Sequence, residues 1–319
     1  MYLSSKAEVI IKKIIGLYPE STLSIGTFYR EKLSWQVYGK NAHLNKEKLQ
    51  NYEIGSLTKV FTAFYFIELF KEKVVTSQTK INEVVSDLPT KNYPTIGELL
   101  THQSGYGYLT PLKLSDLIGI IKHKGTRRYN PYESNMCADN VRKILIEKKI
   151  PTHRRRIYSN FGYAVLGLIL SELEAKNYEE CINAFSKKKL DLNHTNFGNA
   201  DLLPGYFRNK NYGNWQWLDC GNNLGKATGG LRSNVVDILK FSSKILAEST
   251  FLKRAESFSL MGMFKRQDGI WMKIGQTGTQ LSVMMIDIEN SSSAVVLVNC
   301  LNKYSVSLAR ELLLRVFEE

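Results

Sequence analysis

Three segments near the end of the chain, GIWMKIGQTG (269–278), QLSVMMIDIE (280–289) and SAVVLVNC (293–300), read as consecutive strands. A fourth and fifth strand sit at the other end: TLSIGTFYREKLSWQVYG (22–39) has two β-rich runs joined by the polar turn Arg30-Glu31-Lys32. Between them the periodicity is helical, over 56–75, 112–123, 138–149, 161–175, 178–189 and 233–247, with Gly, Pro and Asn in the joints. Strands at both ends with helices between them restrict the layout. The expected fold is α/β in the α+β sense: an antiparallel sheet from the N- and C-terminal segments, flanked by helices, with a mostly helical insertion. Residues 1–85 and 220–319 would form the sheet domain and 86–219 the inserted one, with a site in the cleft between them.

The first twenty residues break their apolar positions with Glu8, Lys12 and Lys13, which argues for an amphipathic helix with Val9, Ile10, Ile14 and Leu17 at helical spacing, and against a signal peptide. The last apolar run, SVSLARELLLRVF, also has helical spacing. No stretch approaches the roughly 18 apolar residues of a membrane span. The sequence as given reads as cytoplasmic.

The net charge of +13 over 319 residues concentrates in KGTRR (124–128), KKIPTHRRR (148–156) and KKK (187–189). No nucleic-acid motif accompanies it, so a solvated lysine-rich face is preferred and no nucleic-acid partner is expected. Cys137, Cys181, Cys220 and Cys300 contain no CxxC pair and read as reduced thiols. The five histidines show no HxxxH or HExxH spacing, so no metal site is expected.

One residue is out of place in this pattern. In NYEIGSLTKVFTA (51–63), Lys59 lies among Val60, Phe61, Ala63, Phe64, Phe66 and Ile67, one helical turn after Ser56 and on the same face. Either it snorkels to the surface or it serves chemistry with Ser56. Desolvation favours a neutral amine, which can take a proton from a serine. SxxK also occurs at Ser77–Lys80 and Ser186–Lys189, but neither opens so apolar a helix. YxN occurs at Tyr158–Asn160, before the apolar FGYAVLGLIL, and again at Tyr212–Asn214. GQTG (275–278) leads into a strand, where small residues let a substrate lie along the backbone.

The order SxxK, YxN, then a KTG-like triplet resembles the serine β-lactamase and penicillin-binding-protein superfamily, above all its class C-type branch with DD-peptidases, family VIII esterases and D-aminopeptidases. IGSLTKVFTA, IGELLTHQSG, YSNFGYAVLG, ATGGLRSNVVDILKF and GQTGT stand in matching order across roughly residues 20 to 300. The resemblance implies Ser56 as acyl-accepting nucleophile, with Lys59 and Tyr158 sharing its deprotonation and protonation of the leaving group. It implies the backbone N–H groups of Ser56 and Thr279 as oxyanion hole, and Asn160, Gln276, Thr277 and Gly278 as substrate-binding positions. His102 falls in a scaffold stretch. No cofactor is implied. Taken singly, Tyr158 also fits a core tyrosine and Asn160 a helix cap.

Position 276 departs from the family, whose triplet usually begins with Lys or His. Glutamine can hydrogen-bond a substrate carboxylate but cannot hold it by charge; His153 to Arg156 are candidate substitutes. The reading that results is a serine hydrolase acting through a Ser56 acyl-enzyme on a small-molecule or peptide-like ester or amide, as carboxylesterase, peptidase or β-lactamase relative. The alternatives are an acyltransferase using the same acyl-enzyme and a non-catalytic member that binds a ligand or peptide. The substrate-shaping segments would be 103–135 and 200–225, and YFRNKNYGNWQWLDCGNN (206–223) reads equally as pocket lining or structural loop. Oligomeric state is not legible.

Overall fold

The computed structural model describes residues 3–40, 49–107, 118, 121–122, 130, 136–147, 156–248 and 262–315. The expected helix 112–123 and the basic runs 124–128 and 148–156 lie outside them, apart from Ile118, Ile121, Lys122 and Arg156.

The chain opens with α1 (Ser5–Leu17), capped by Ser4, whose hydroxyl accepts the Ala7 N–H at 2.8 Å. Its buried face is Ala7, Ile11 and Ile14. This corrects the expected face: Val9 and Leu17 are exposed. Strands β1 (Thr22–Tyr29) and β2 (Lys32–Gly39) pair antiparallel across Arg30 and Glu31. Both turn residues have positive φ, as a two-residue hairpin loop requires.

After β3 (Tyr52–Glu53) a single 3-10 turn, Gly55–Leu57, carries Ser56 into α2 (Thr58–Lys71). Two short helices follow, α3 (Ile81–Val84) and α4 (Ile96–Leu100), then α5 (Ala138–Glu147), α6 (Asn160–Glu174) and α7 (Tyr178–Ala184), the last running into a π-helical turn, Phe185–Lys189. A hairpin of β4 (Gly205–Phe207) and β5 (Lys210–Gly213) interrupts this helical stretch. Next come α8 (Lys226–Gly229), β6 (Arg232–Ser233), which pairs with β3, and α9 (Val235–Ala247). Strands β7 (Phe264–Lys265), β8 (Trp271–Gln276), β9 (Leu281–Asp287) and β10 (Ser292–Val298) and helix α10 (Ser305–Arg315) complete the chain.

The main sheet has the order β2-β1-β10-β9-β8-β7, antiparallel throughout. The first and last strands of the sequence thus meet, Leu23 opposite Val298 and Phe28 opposite Ser293. Side chains alternate between its faces. Met272, Val283, Met285 and Val296 pack with Ile11 and Ile14 of α1 and Leu308 and Leu312 of α10. Trp271, Met284, Ile286 and Val295 face a larger core holding α2, α6 and α9, where Phe61 stacks on Phe241 with ring centroids 3.8 Å apart.

The thiol reading fails at two of four cysteines. Cys137 and Cys220 form a disulfide across 83 residues, while Cys181 and Cys300 are free and buried. Two backbone hydrogen bonds lay the segments side by side, from Ala138 N–H to Asn222 O and from Leu224 N–H to Met136 O. Sequence spacing carried no sign of that pairing. Among the described residues no helix is long and apolar enough to cross a membrane.

Candidate active site

The site begins with a backbone packed too closely to admit side chains. Gly55 has φ +49°, and a Cβ there would stand 2.4 Å from the Gln276 nitrogen. The turn that presents Ser56 therefore lies flat against the end of β8, tied further by the Ser282 hydroxyl donating to Ile54 O at 2.8 Å. Ser56 is part-exposed at the mouth of this junction. It is not a helix cap: Leu57 is the N-cap residue of α2, and no side chain caps it.

Lys59 answers the question its position raised. It is 0% exposed, so it does not snorkel. Its Nζ stands 3.3 Å from Ser56 Oγ and donates to the carbonyl oxygen of Thr228 in α8. Burial, and secondarily the charge of Lys273, drives its pKa well below the ordinary lysine value. The phenol of Tyr158 reaches the same serine from the other side, Oη to Oγ 2.9 Å. An amine three residues away in sequence and a phenol 102 residues away thus meet at one hydroxyl.

Tyr158 precedes α6 and is held from below. Ser159 caps that helix, its hydroxyl accepting the Gly162 N–H at 2.8 Å, so Asn160, buried at the first helical position, is not the cap. His102 Nδ1 accepts the Ser159 N–H at 3.1 Å, and its ring lies 4.4 Å from that of Tyr158. Burial and the charges of Lys273, Lys59 and Arg156 keep that imidazole neutral, its pKa far below the usual value. The stretch taken as scaffold thus touches Tyr158 directly.

The third element divides. Gln276 ends β8 with an exposed side chain. The Thr277 hydroxyl points inward and donates to Glu53 Oε2 at 2.7 Å. Gly278 lies in the turn that follows, where Thr277 N–H bonds Gln280 O at 3.1 Å, and Thr279 is buried against Gly205 of the β4–β5 hairpin. Glu53 was not anticipated. It is buried, accepts the Trp215 N–H at 2.9 Å on its other oxygen, and desolvation raises its pKa to about 7. The segment 206–223 is thereby fastened to the site's edge, since Asn214, from the second YxN, accepts from Gln280 Nε2 at 2.8 Å. The other SxxK pairs lie elsewhere: Ser186 is in the π-helical turn, and Lys189 pairs with Glu72.

A helix-flanked antiparallel sheet with a serine, a buried lysine and a tyrosine at its edge defines the β-lactamase/transpeptidase-like fold. The class C beta-lactamase from Rhodobacter sphaeroides superposes with TM-score 0.73 at 15% identity, covering 99% of this chain and 100% of that one. A D-stereospecific amidohydrolase from Streptomyces sp. superposes with TM-score 0.67 at 15% identity, covering 92% and 93%. The model of the Beta-lactamase family matches residues 50–316, and the chain belongs to that family. In sequence it is 29% identical over 208 residues to Beta-lactamase-like protein 4 of Dictyostelium discoideum, a match covering 57% of this chain and 34% of that protein. The chain thus spans about a third of the length of the curated relatives it matches.

Proposed function

We propose that the protein is a serine hydrolase that cleaves a small ester or amide through an acyl-enzyme on Ser56. One observation carries this: a fully buried Lys59 with its amine 3.3 Å from Ser56 Oγ and the Tyr158 hydroxyl 2.9 Å from the same oxygen. A neutral Lys59 is a competent acceptor for the Ser56 proton, and Tyr158 is placed to share it. As the Oγ–C bond forms, charge develops on the substrate oxygen, and the N–H groups of Ser56 and Thr279 are the donors we assign to it. The leaving alcohol or amine departs with the proton returned through Tyr158 and Lys59. Water then attacks the acyl-enzyme, giving its proton to the same pair, and Ser56 is restored.

Asn160, Gln276, Thr277 and Gly278 would border the substrate, with Thr277 acting through its backbone because its hydroxyl is engaged by Glu53. A neutral residue at 276 disfavours substrates that need their carboxylate held by charge, so uncharged esters and amides are the better class. The sheet segments 1–85 and 220–319 would form one wall of the cleft and 86–219 the other. A disulfide such as Cys137–Cys220 persists chiefly in oxidising compartments, which favours such a setting over the cytoplasm.

The test is to treat the protein with a fluorophosphonate, map the adduct, and measure p-nitrophenyl acetate and butyrate hydrolysis in wild type and Ser56→Ala. Adduct on Ser56 and loss of turnover in the variant are expected. Adduct elsewhere, or equal rates, would favour a binding protein of this fold. Adding alcohol or amine acceptors to the same assay distinguishes acyl transfer from hydrolysis.

A further inference from the structure

Lys273 has entered the site so far only as a charge acting on Lys59 and His102. It lies in the middle of β8 on the face shared by Trp271 and Gly275, opposite Met284 of β9, and is 3% exposed. Its ammonium sits over the Tyr158 ring, 5.4 Å from the centroid, while Lys59 Nζ lies 5.2 Å from the same centroid. A lysine this buried is costly unless partnered. The described residues give it no carboxylate: it donates to the carbonyl oxygen of Gly262. The neighbouring titratable groups are Lys59 from α2, His102 just after α4, Tyr158 just before α6 and Tyr163 within it; Arg156 acts on His102 from farther out. The surroundings are therefore cationic or neutral, with aromatic faces as the compensating element.

We propose that Lys273 is a positioning residue of this site: from within β8 its ammonium steadies the Tyr158 ring by its charge and disfavours protonation of Lys59. The inference rests on Ser56 being the nucleophile. Several facts converge on it. Gln276 is neutral and exposed, whereas Lys273, three residues earlier on the same strand, is turned inward to the tyrosine. Two amines close to one ring repel, so protonating one opposes protonating the other. Burial lowers both amines, Lys273 to about 7, and the charge of Lys273 lowers Lys59 further, so a proton held on Lys273 leaves the amine beside Ser56 freer to accept one. The cation thus works on Ser56 without touching it.

The experiment follows the rate of Ser56 phosphonylation by a fluorophosphonate against pH in wild type, Lys273→Met and Lys273→Arg. Removing the cation makes Lys59 easier to protonate, so in Lys273→Met the acid limb of the rate profile moves to higher pH by about one unit, a tenfold loss on that limb. Arginine keeps the charge, so Lys273→Arg restores the limb to its wild-type position or lower. A purely structural lysine would change thermal stability and leave the limb in place, which would overturn the proposal, as would an arginine variant that behaves like methionine. The unmutated protein supplies a second readout by NMR of 13Cε-labelled lysine. One ε-methylene should titrate near pH 7 and shift when Ser56 is phosphonylated; all lysines titrating near their ordinary value would refute the assignment. Absence of any Ser56 adduct in wild type removes this inference together with the hydrolase reading, whereas a Ser56 adduct with an unmoved limb removes this inference alone.

Discussion

Gly275 faces the carbonyl oxygen of Ile54 so closely that a methyl group on it would lie 1.9 Å away. The same added carbon would stand 2.9 Å from the Leu57 nitrogen, and both partners are backbone. Gly275→Ala must therefore push the Ser56 turn away from β8. Overpacking of this kind typically costs about 1–3 kcal/mol, and a displacement near 1 Å at a reacting centre costs on the order of 100-fold in rate. We expect a folded protein with a lowered melting temperature and ester turnover down at least tenfold, read by circular dichroism and p-nitrophenyl acetate hydrolysis. Wild-type kinetics in this variant would separate the junction from the chemistry.

Tyr158→Phe removes only the hydroxyl that reaches Ser56. The ring stays on His102, so stability should change little. Positioned proton transfer contributes roughly 10²–10⁴-fold, and turnover should fall by that order. Burst kinetics with p-nitrophenyl butyrate show whether acylation or deacylation is slowed.

Glu53 makes stability fall as pH rises. Its folded pKa, about 7, lies above the ordinary 4.5. Between those values the native state holds a proton that the unfolded state has released, so the contribution is fully present below 4.5 and is lost as pH climbs to about 7. Glu53→Gln keeps the side-chain shape and one of the two acceptor oxygens without titrating. Denaturant melts at pH 5 and pH 8 should show the variant gaining on wild type by about 2–3 kcal/mol at the higher pH. An unchanged difference would mean Arg232 holds the carboxylate ionised throughout.

Reducing the Cys137–Cys220 bond reopens a loop of 83 residues. Chain-entropy arguments put the upper value of the loss at about 4.5 kcal/mol. Melting with and without a reductant, and mass analysis of alkylated protein, should show the destabilisation and two protected thiols.

The large elements were legible because their patterns are local. The β1–β2 turn declared itself through charged residues between β-rich runs, and Ser56–Lys59 through i, i+3 spacing in an apolar helix. Tyr158 was legible only through the order of motifs, since nothing near it in sequence reports that Ser56 is 2.9 Å away. Lys273 stands in the alternation of Trp271, Lys273 and Gly275, but alternation alone does not say which face of a strand is buried against a site. The buried face of α1 shows the opposite case. The helix carries apolar residues on more than one side, and the sheet and α10 decided that Ile11 faces in and Val9 out. The disulfide and the Glu53–Thr277 pair span 83 and 224 residues, and such distances leave no periodic trace.

The clamp on Gly55 joins segments from opposite ends of the chain, with Gln276 on one side and Gly229 on the other. Loop closure over such separations costs entropy that other contacts must offset. The reactive constellation therefore exists only once the whole tertiary structure has formed. Covalent labelling at residue 56 would report on the integrity of the entire domain, and no fragment lacking either half of that vice would be trapped by the same reagent.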